Sequence, residues 1–193
     1  MILKVNKNIL DVDLNPFTRF ITDGSRFFPG NGDNHHQLLS FLSHQLPKGS
    51  KVADLGTLVG HSAVALASNP DVQVISIDLE DYITEPRLSF KSLPNVRFIQ
   101  GNCLSLIDEY IDSKLMLVDV APHDGVQEAQ LFDALSKRNY KGVAVLDDIE
   151  SFDGMKRFWN TIGLKKFNVT RYGHWSGTGI VVFDPSFIDV EVD

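Results

Sequence analysis

The sequence predicts an α/β protein in which seven strands form one mostly parallel, doubly wound sheet. Short apolar runs alternate with stretches of helical spacing along most of the 193 residues, an order typical of a parallel sheet covered by helices on both faces. The run Val143–Leu146 is apolar throughout, as expected of a strand that is buried on both faces. The last two predicted strands are too close together for a crossover helix, so we expect a C-terminal antiparallel hairpin at one sheet edge.

The first 32 residues are predicted to form an arm or lid with little regular structure, ahead of a single domain over residues 33–193. This segment combines polar groups with several aromatic and helix-breaking residues: Phe17, Phe20, Phe27, Phe28, Pro16, Pro29, Gly30 and Gly32. The phenylalanines either pack on the body of the protein or cover a ligand, because such segments are either anchored or mobile.

The domain begins with a predicted helix that follows the cap Asp33-Asn34, has leucines at helical spacing and ends before Pro47. The predicted strands that follow cover Val52-Ala53 with its neighbours, 72–78, 95–100, 114–119, 143–146, and the hairpin strands near 167–172 and 178–183. The predicted helices between them cover 62–68, a short segment after Pro86, 103–111, 124–138 and 153–162.

The stretch from Lys51 to Ala67 places a strand, a glycine turn and a helix start in succession. Gly56 lets a ligand approach the backbone, and the free N–H groups of the following helix start can receive an anionic group. The stretch lacks the dinucleotide pattern G-x-G-x-x-G, because Asp54 precedes the turn and Gly60 comes four residues after Gly56. It is either a ligand-binding turn or an ordinary strand–helix turn with two closely packed glycines.

Acidic residues end four of the predicted strands: Asp54, Asp78, Asp119 and the pair Asp147-Asp148. Ligands of open parallel sheets bind at the carboxyl ends of the strands, so these acids are candidate binding residues. Asp147 or Asp148 could instead cap the helix that follows.

Composition excludes several classes of function. The net charge is −7 and no block of lysine and arginine occurs, so a nucleic-acid partner is not expected. No apolar run approaches a membrane span, so no membrane partner is expected either. The single cysteine, Cys103, is compatible with a reducing compartment, and we expect a cytoplasmic protein.

From about residue 35 to residue 185 the chain resembles the class I S-adenosylmethionine (SAM)-dependent methyltransferases. The resemblance rests on the motif Asp54-Leu-Gly56-Thr-Leu-Val-Gly60-His-Ser62, on the strand-end acid Asp78 and on the late hairpin. More narrowly, residues 118–126 and 145–149 are similar to the small-molecule O-methyltransferases of the catechol and macrolide-sugar type. Two positions depart from that subfamily: Pro122 stands where a second acid usually precedes the histidine, and Asp148 stands where catechol-type enzymes carry asparagine.

The resemblance implies a Rossmann-like methyltransferase fold and a set of site residues. The implied SAM-binding residues are Asp54, Gly56, Gly60, Ser62, Asp78, Asn102 and Asp119. Among them Asp78 would accept hydrogen bonds from both ribose hydroxyls, for which a carboxylate is a suitable acceptor. The implied Mg²⁺ ligands are Asp119, Asp147 and Asp148, and His123 with Asp119 would form the catalytic pair, His123 serving as the base.

The remaining histidines are expected to matter less. His35, His36 and His61 lie at a helix start or in the glycine turn, where solvated or capping roles are expected. His174 lies in the hairpin turn with Arg171, Tyr172 and Trp175, and this turn either lines an acceptor pocket or is an ordinary surface turn.

The favoured function is therefore SAM-dependent O-methylation of a small hydroxylated acceptor, assisted by Mg²⁺. Two alternatives stay open: a non-catalytic cofactor-binding member of the fold, and an NAD(P)-type Rossmann oxidoreductase. The sequence does not name the acceptor or fix the oligomeric state, for which a homodimer is one option.

Overall fold

The computed structural model describes residues 1–28, 33–82 and 89–193 of the chain. The breakers Pro29, Gly30 and Gly32 and the first residues after Pro86 lie outside the described residues. Of the short helix expected after Pro86, the structure describes a 3-10 helix at Phe90–Ser92. In chain order the strands are β1 (Ile2–Val5), β2 (Lys51–Leu55), β3 (Gln73–Asp78), β4 (Val96–Gln100), β5 (Leu115–Val118), β6 (Val143–Leu146), β7 (Lys165–Asn168), β8 (Gly179–Val182) and β9 (Asp189–Val192). The helices are α1 (His35–Ser43), α2 (His61–Ala67), α3 (Ile107–Tyr110), α4 (Val126–Lys137) and α5 (Asp153–Thr161).

Seven of the strands form the main sheet, in the spatial order β4–β3–β2–β5–β6–β8–β7. Strands β2 to β6 pair in parallel, whereas β8 pairs antiparallel with both β6 and β7. The predicted fold class is thereby confirmed, including the hairpin at one edge. Thr170–Tyr172 forms a 3-10 turn, so the first hairpin strand ends earlier than the sequence predicts.

The strand order reverses between β2 and β5, which are neighbours in the sheet although two strands separate them in the chain. From β2 the chain proceeds outward through β3 and β4, and it then returns to build β5 and β6 on the other side. Leu55 pairs with Val118, and Val118 with Leu146, so these strands end at the same level. The residues that follow them meet at a topological switch point, where a ligand crevice is expected.

Alternate residues of the strands enter two separate cores, one on each face of the sheet. Val52, Leu117 and Val145 pack in the core beneath α1 and α2. Their neighbours along the strands, Ala53 and Met116 among them, pack in the core beneath α4 and α5. Within the described ranges, no helix is long and apolar enough to cross a lipid bilayer.

The expectation of little regular structure at the N-terminus is wrong for residues 1–28. Strand β1 pairs in parallel with β9, and three 3-10 helices follow it at Lys7–Asp11, Asn15–Phe20 and Gly24–Phe27. Leu3, Val5, Ile9 and Phe27 are buried in the core that contains α1 and α2. The aliphatic residues of this segment are spread among polar ones without helical spacing, so their burial depends on partners that are distant in the chain.

The helix predicted over 103–111 is also shorter than expected, since α3 covers only Ile107–Tyr110. The side-chain oxygen of Asn102 accepts a hydrogen bond from the Leu104 N–H at 2.8 Å. This local bond makes residues 102–104 a turn, which competes with continuation of the helix.

Side chains from the starts of α1 and α2 hold the segment 23–27 by its backbone carbonyls. His36 Nδ1 lies 3.2 Å from the Arg26 oxygen, and His61 Nε2 lies 3.0 Å from the Asp23 oxygen. Gln37 Nε2 donates to the Phe27 oxygen at 2.7 Å. These histidines are buried rather than solvated, which corrects the expectation from the sequence.

Because His36 is buried, we expect the free energy of unfolding of the chain to fall in mild acid. Burial, together with the neighbouring His35 and His61 rings, lowers the pKa of His36 well below its ordinary value. In the unfolded chain the ring takes up a proton near pH 6.5, and the folded chain does not. The free energy of unfolding should therefore fall below pH 6.5, with His36 contributing up to about 1.4 kcal/mol per pH unit.

Urea unfolding between pH 7.5 and pH 5 measures this slope. We expect His36→Gln to lose stability less steeply than the wild-type chain as the pH falls. His44 is exposed, so His44→Gln serves as the surface control. Equal slopes for the wild-type chain and His36→Gln would contradict the prediction.

Candidate functional site

The glycine turn after β2 is shaped by two close approaches. Gly56 has φ +89°, and a Cβ there would lie 1.8 Å from the backbone oxygen of Asp119. Gly60 has φ +90°, and a Cβ there would lie 2.0 Å from the ring of Phe90. Both residues occupy the left-handed region that glycine tolerates. The turn therefore brings the end of β2 directly against the end of β5.

Two cavities open at the carboxyl ends of the strands and share a wall. The larger one, here named the outer cleft, has about 900 Å³ of empty space including its mouth and is lined by Asp78, Asn102, Asp119 and His123, among others. The second, here named the histidine pocket, is lined by Arg26, Asp33, His35, His36, His61, Ser62, Asp147 and His174, among others. Gly56, Leu58 and Asp119 line both. A ligand in one cavity would thus meet a ligand in the other at Gly56 and Asp119.

Asp78 stands at the end of β3 with its carboxylate in the outer cleft. One oxygen accepts a hydrogen bond from the Leu58 N–H at 2.8 Å, and the other accepts one from the Glu80 N–H at 3.2 Å. These bonds fix the direction of the carboxylate, and each oxygen retains a lone pair for a further donor. The backbone of Leu58, which donates one of these hydrogen bonds, has φ +48°. This conformation is rare for a non-glycine residue.

Not every residue proposed from the sequence lies on a cavity wall. Asp54 is fully buried and accepts hydrogen bonds from the hydroxyls of Thr57 and Ser76. Burial raises the pKa of Asp54, and the bond from Thr57 opposes that rise. Gly60 lies under Phe90. For Asp54 and Gly60 the geometry indicates support of the turn, and direct contact with a ligand stays a prediction.

Three carboxylates and two imidazoles meet where β5 and β6 end. His123 Nδ1 lies 3.6 Å from an Asp119 oxygen and 3.4 Å from an Asp148 oxygen. On the other side, His174 Nδ1 lies 3.5 Å from Asp147 Oδ1. The predicted acids are therefore brought together, and His123 faces Asp119 despite the departure at Pro122.

The electrostatics of this group follow from its crowding. Burial raises the pKa of Asp119 well above its ordinary value, and repulsion from the Asp147 and Asp148 carboxylates raises it further. Burial also acts to raise the pKa of Asp147, but the facing His35 and His174 rings outweigh it and lower that pKa. The Asp147 carboxylate in turn raises the pKa of His174. Crowded acids of this kind are relieved by a proton or by a cation.

Backbone strain is concentrated at the same place. Of the four described non-glycine residues with positive φ, Leu58, His123 and Asp148 lie at the site, with φ of +48°, +59° and +60°. Such conformations cost on the order of 1 kcal/mol or more and tend to occur at functional sites. The ring of Phe152 stacks on His123 with centroids 5.7 Å apart, which fixes the plane of the imidazole.

The donor atoms are compatible with a divalent cation. Among the described residues, two groups place their ligand atoms within 4.8 Å of one another: Asp119 with His123 and Asp148, and Asp147 with Asp148 and His174. Asp147 Oδ1 is buried and has no hydrogen-bond partner among the described residues. A carboxylate oxygen in that state fits a cation, because an unpartnered buried acceptor costs about 1–3 kcal/mol.

Sequence reasoning missed the histidine pocket. His35, His36 and His61 are buried and line it, together with the half-buried His174. The only signal was the number of histidines next to predicted turns, since the rings come from three elements that are distant in the chain. Trp175, from the same turn as His174, is 69% exposed and does not belong to the pocket.

Replacing Asp78 by alanine tests whether the outer cleft holds a ribose. We expect SAM affinity to fall by about 30- to 100-fold, because hydrogen bonds to a charged acceptor contribute roughly 1.5–3 kcal/mol. Isothermal titration calorimetry measures the change, with Asp133→Asn as the control, since Asp133 pairs with Lys137 on the exposed side of α4. Equal SAM affinities of the wild-type chain and Asp78→Ala would contradict this role.

No protein-family model matches the sequence, and no curated protein does either. Solved structures do match the fold. A cofactor-bound structure of Rv0187 from MTB superposes with a TM-score of 0.57 at 20% identity, covering 77% of this chain and 79% of that one. Precorrin-6y C5,15-methyltransferase from Geobacter metallireducens gives a TM-score of 0.57 at 15% identity, covering 76% and 85%.

A third match is MycE methyltransferase from the mycinamycin biosynthetic pathway, whose structure contains Mg and SAH. The TM-score is 0.51 at 18% identity, and the match covers 72% of this chain and 37% of MycE. At these identities the likeness concerns the fold. The order of the strands in the sheet and the position of the switch point agree with these structural matches. The chain has the fold of the class I SAM-dependent methyltransferases.

Proposed function

We propose that the protein is a SAM-dependent O-methyltransferase that acts on a small hydroxylated molecule with the help of a divalent metal. The observation that carries the proposal is the shared wall of the two cavities at Gly56 and Asp119. A methyl donor in the outer cleft and an acceptor in the histidine pocket would meet there, beside the carboxylates that end β5 and β6.

SAM supplies a methyl group on a sulfonium, which an acceptor oxygen displaces in line, so the protein mainly has to position the two partners. In the outer cleft, Asp78 would bind the ribose hydroxyls and Asn102 would lie beside the adenine. Ser62, which lines the histidine pocket at the start of α2, would serve the methionine carboxylate where the donor reaches past Gly56. Asp54 would act on the methionine ammonium through water, since it lies beneath the turn.

His123 is proposed as the base that takes the proton from the acceptor hydroxyl. Its Nδ1 faces the carboxylates of Asp119 and Asp148, which leaves Nε2 to accept the proton. Asp119, Asp147 and Asp148 would hold the divalent metal, which when bound lowers the pKa of an acceptor hydroxyl. Hydroxylated acceptors suit the histidine pocket because its walls are rich in hydrogen-bonding side chains.

Release of S-adenosylhomocysteine tests the function. Purified protein would be incubated with SAM and a panel of catechols, flavonoids and sugars, each with and without EDTA. We expect release that depends on an acceptor, stops in EDTA and returns when Mg²⁺ or Mn²⁺ is added. SAM binding without release on any acceptor would favour the non-catalytic alternative, and binding of NADH in place of SAM would favour the oxidoreductase.

A further inference from the structure

His174 brings an imidazole nitrogen to the carboxylates that end β6. Its Nδ1 lies 3.5 Å from Asp147 Oδ1, and Asp147, Asp148 and His174 place ligand atoms within 4.8 Å of one another. The Ser176 hydroxyl lies 2.5 Å from the same nitrogen and would have to turn away for that nitrogen to bind a metal. The separation of 3.5 Å exceeds the ordinary N–H···O distance of about 2.7–3.2 Å. Two ligands of one metal ion are separated by a similar distance, since each lies about 2.0–2.2 Å from the ion.

Two buried atoms at this position have no hydrogen-bond partner among the described residues. Asp147 Oδ1 belongs to a residue that is 8% exposed, and His35 Nδ1 belongs to one that is 6% exposed. The two atoms lie 4.0 Å apart and face each other in the histidine pocket. A cation at Asp147, with a bound water reaching His35, would satisfy both atoms.

A further carboxylate stands behind His174. Asp33 Oδ2 lies 4.0 Å from His174 Nε2, and Asp33 Oδ1 is buried without a partner among the described residues. A small rotation or one bridging water closes that gap. Metal-bound histidines commonly donate their second ring N–H to a carboxylate, which orients the ring and strengthens the ligand.

The competing group, Asp119 with His123 and Asp148, has similar distances between its ligand atoms and differs in the burial of its carboxylates. The Asp119 side chain is 32% exposed, against 10% for Asp147, whereas the His123 and His174 side chains are exposed to a similar extent, 26% and 24%. Neither residue has a buried unpartnered atom. His123 is also the residue best placed to accept a proton from an acceptor in the site.

We propose that His174 is a metal ligand together with Asp147 and Asp148, and that the site therefore prefers a transition-metal dication such as Fe²⁺ or Zn²⁺ to Mg²⁺. The inference rests on the metal of the proposed function, keeps Asp147 and Asp148 as its ligands and puts His174 in the place of Asp119. Imidazole nitrogen favours first-row transition metals, whereas a set made only of carboxylates suits Mg²⁺. Asp119 and His123 are then left free to face the acceptor.

Co²⁺ is a suitable probe because its visible absorption reports the ligands directly. The EDTA-treated chain would be titrated with Co²⁺ and, in competition, with Mg²⁺, in the absence of SAM and acceptor. We expect Co²⁺ to bind at least about tenfold more tightly than Mg²⁺. His174→Gln should weaken Co²⁺ binding by at least about tenfold and alter the spectrum. His123→Gln should weaken binding less and leave the spectrum unaltered, because His123 contacts the ligand Asp148 without binding the metal.

Equal Co²⁺ affinity of the wild-type chain and His174→Gln would overturn the inference, as would loss of binding in His123→Gln alone. Should His174→Gln fail to fold, pulsed electron paramagnetic resonance of Mn²⁺ on the wild-type chain decides instead. Coupling of Mn²⁺ to a directly bound ¹⁴N in both the wild-type chain and His123→Gln would support the inference. Absence of this coupling in the wild-type chain would overturn the inference. Tight Co²⁺ binding without methyl transfer would contradict the proposed function but not this inference. Metal-dependent methyl transfer, with a metal affinity that His174→Gln leaves unchanged, would contradict this inference but not the proposed function.

Discussion

Gly56→Ala is expected to lower the free energy of unfolding by more than about 3 kcal/mol and to abolish SAM binding. The new Cβ would lie 1.8 Å from the backbone oxygen of Asp119, and φ is +89°. A backbone atom cannot move aside as a flexible side chain does, so β2 and β5 would have to separate. For a chain of this length the loss corresponds to a fall in melting temperature of roughly 6–12 °C.

Gly49→Ala is the matched control for Gly56→Ala. Gly49 has φ +77°, but a Cβ there would meet nothing within 4 Å. It should therefore show only the conformational cost of about 1–2 kcal/mol and retain SAM binding. Thermal unfolding and calorimetry on both variants separate the two contributions. If Gly56→Ala were no less stable than Gly49→Ala, the close packing of β2 against β5 would be wrong.

Asp147→Ala is expected to reduce methyl transfer by at least about 100-fold, because removing one charged ligand costs several kcal/mol of metal binding. SAM affinity should change little, since Asp147 lines the histidine pocket and not the outer cleft. Rates of S-adenosylhomocysteine release, followed with the best acceptor of the panel, measure the effect. Asp133→Asn again serves as the control outside the site.

EDTA provides a second arm of the same experiment. If Asp147 acts by holding the metal, EDTA should reduce the wild-type rate to that of Asp147→Ala and leave the rate of the variant unchanged. Methyl transfer that is undiminished by EDTA would contradict the role of the metal. A variant that remained sensitive to EDTA would place the metal on other residues.

The central sheet could be predicted from the sequence because its signals are local. A strand such as Val143–Leu146 is recognisable from its own four apolar residues, and the structure gives it the same bounds. The chain also places Asp78 at the end of a strand and Asp119 and Asp147 immediately after strands. Parallel pairing brings these strand ends to one edge of the sheet without further information.

The N-terminal segment and the histidine pocket could not be predicted in that way. Strand β1 pairs with β9 from the opposite end of the chain, and no local pattern encodes a partner so distant. His35 and His174 come within 6.0 Å of each other, between ring centroids, only after α1 and the hairpin have packed. Their burial is a product of tertiary structure, so the preference of single histidines for solvent gave the wrong expectation.

The most direct test of cofactor binding in the outer cleft is a crystal structure of the chain grown or soaked with S-adenosylhomocysteine. We expect the adenosyl group to lie in the outer cleft, with both ribose hydroxyls bound to Asp78 and the sulfur beside Gly56 and Asp119. If crystals soaked at a saturating concentration of S-adenosylhomocysteine showed the outer cleft blocked by side chains and Asp78 turned to bulk solvent, cofactor binding in this cleft would be contradicted.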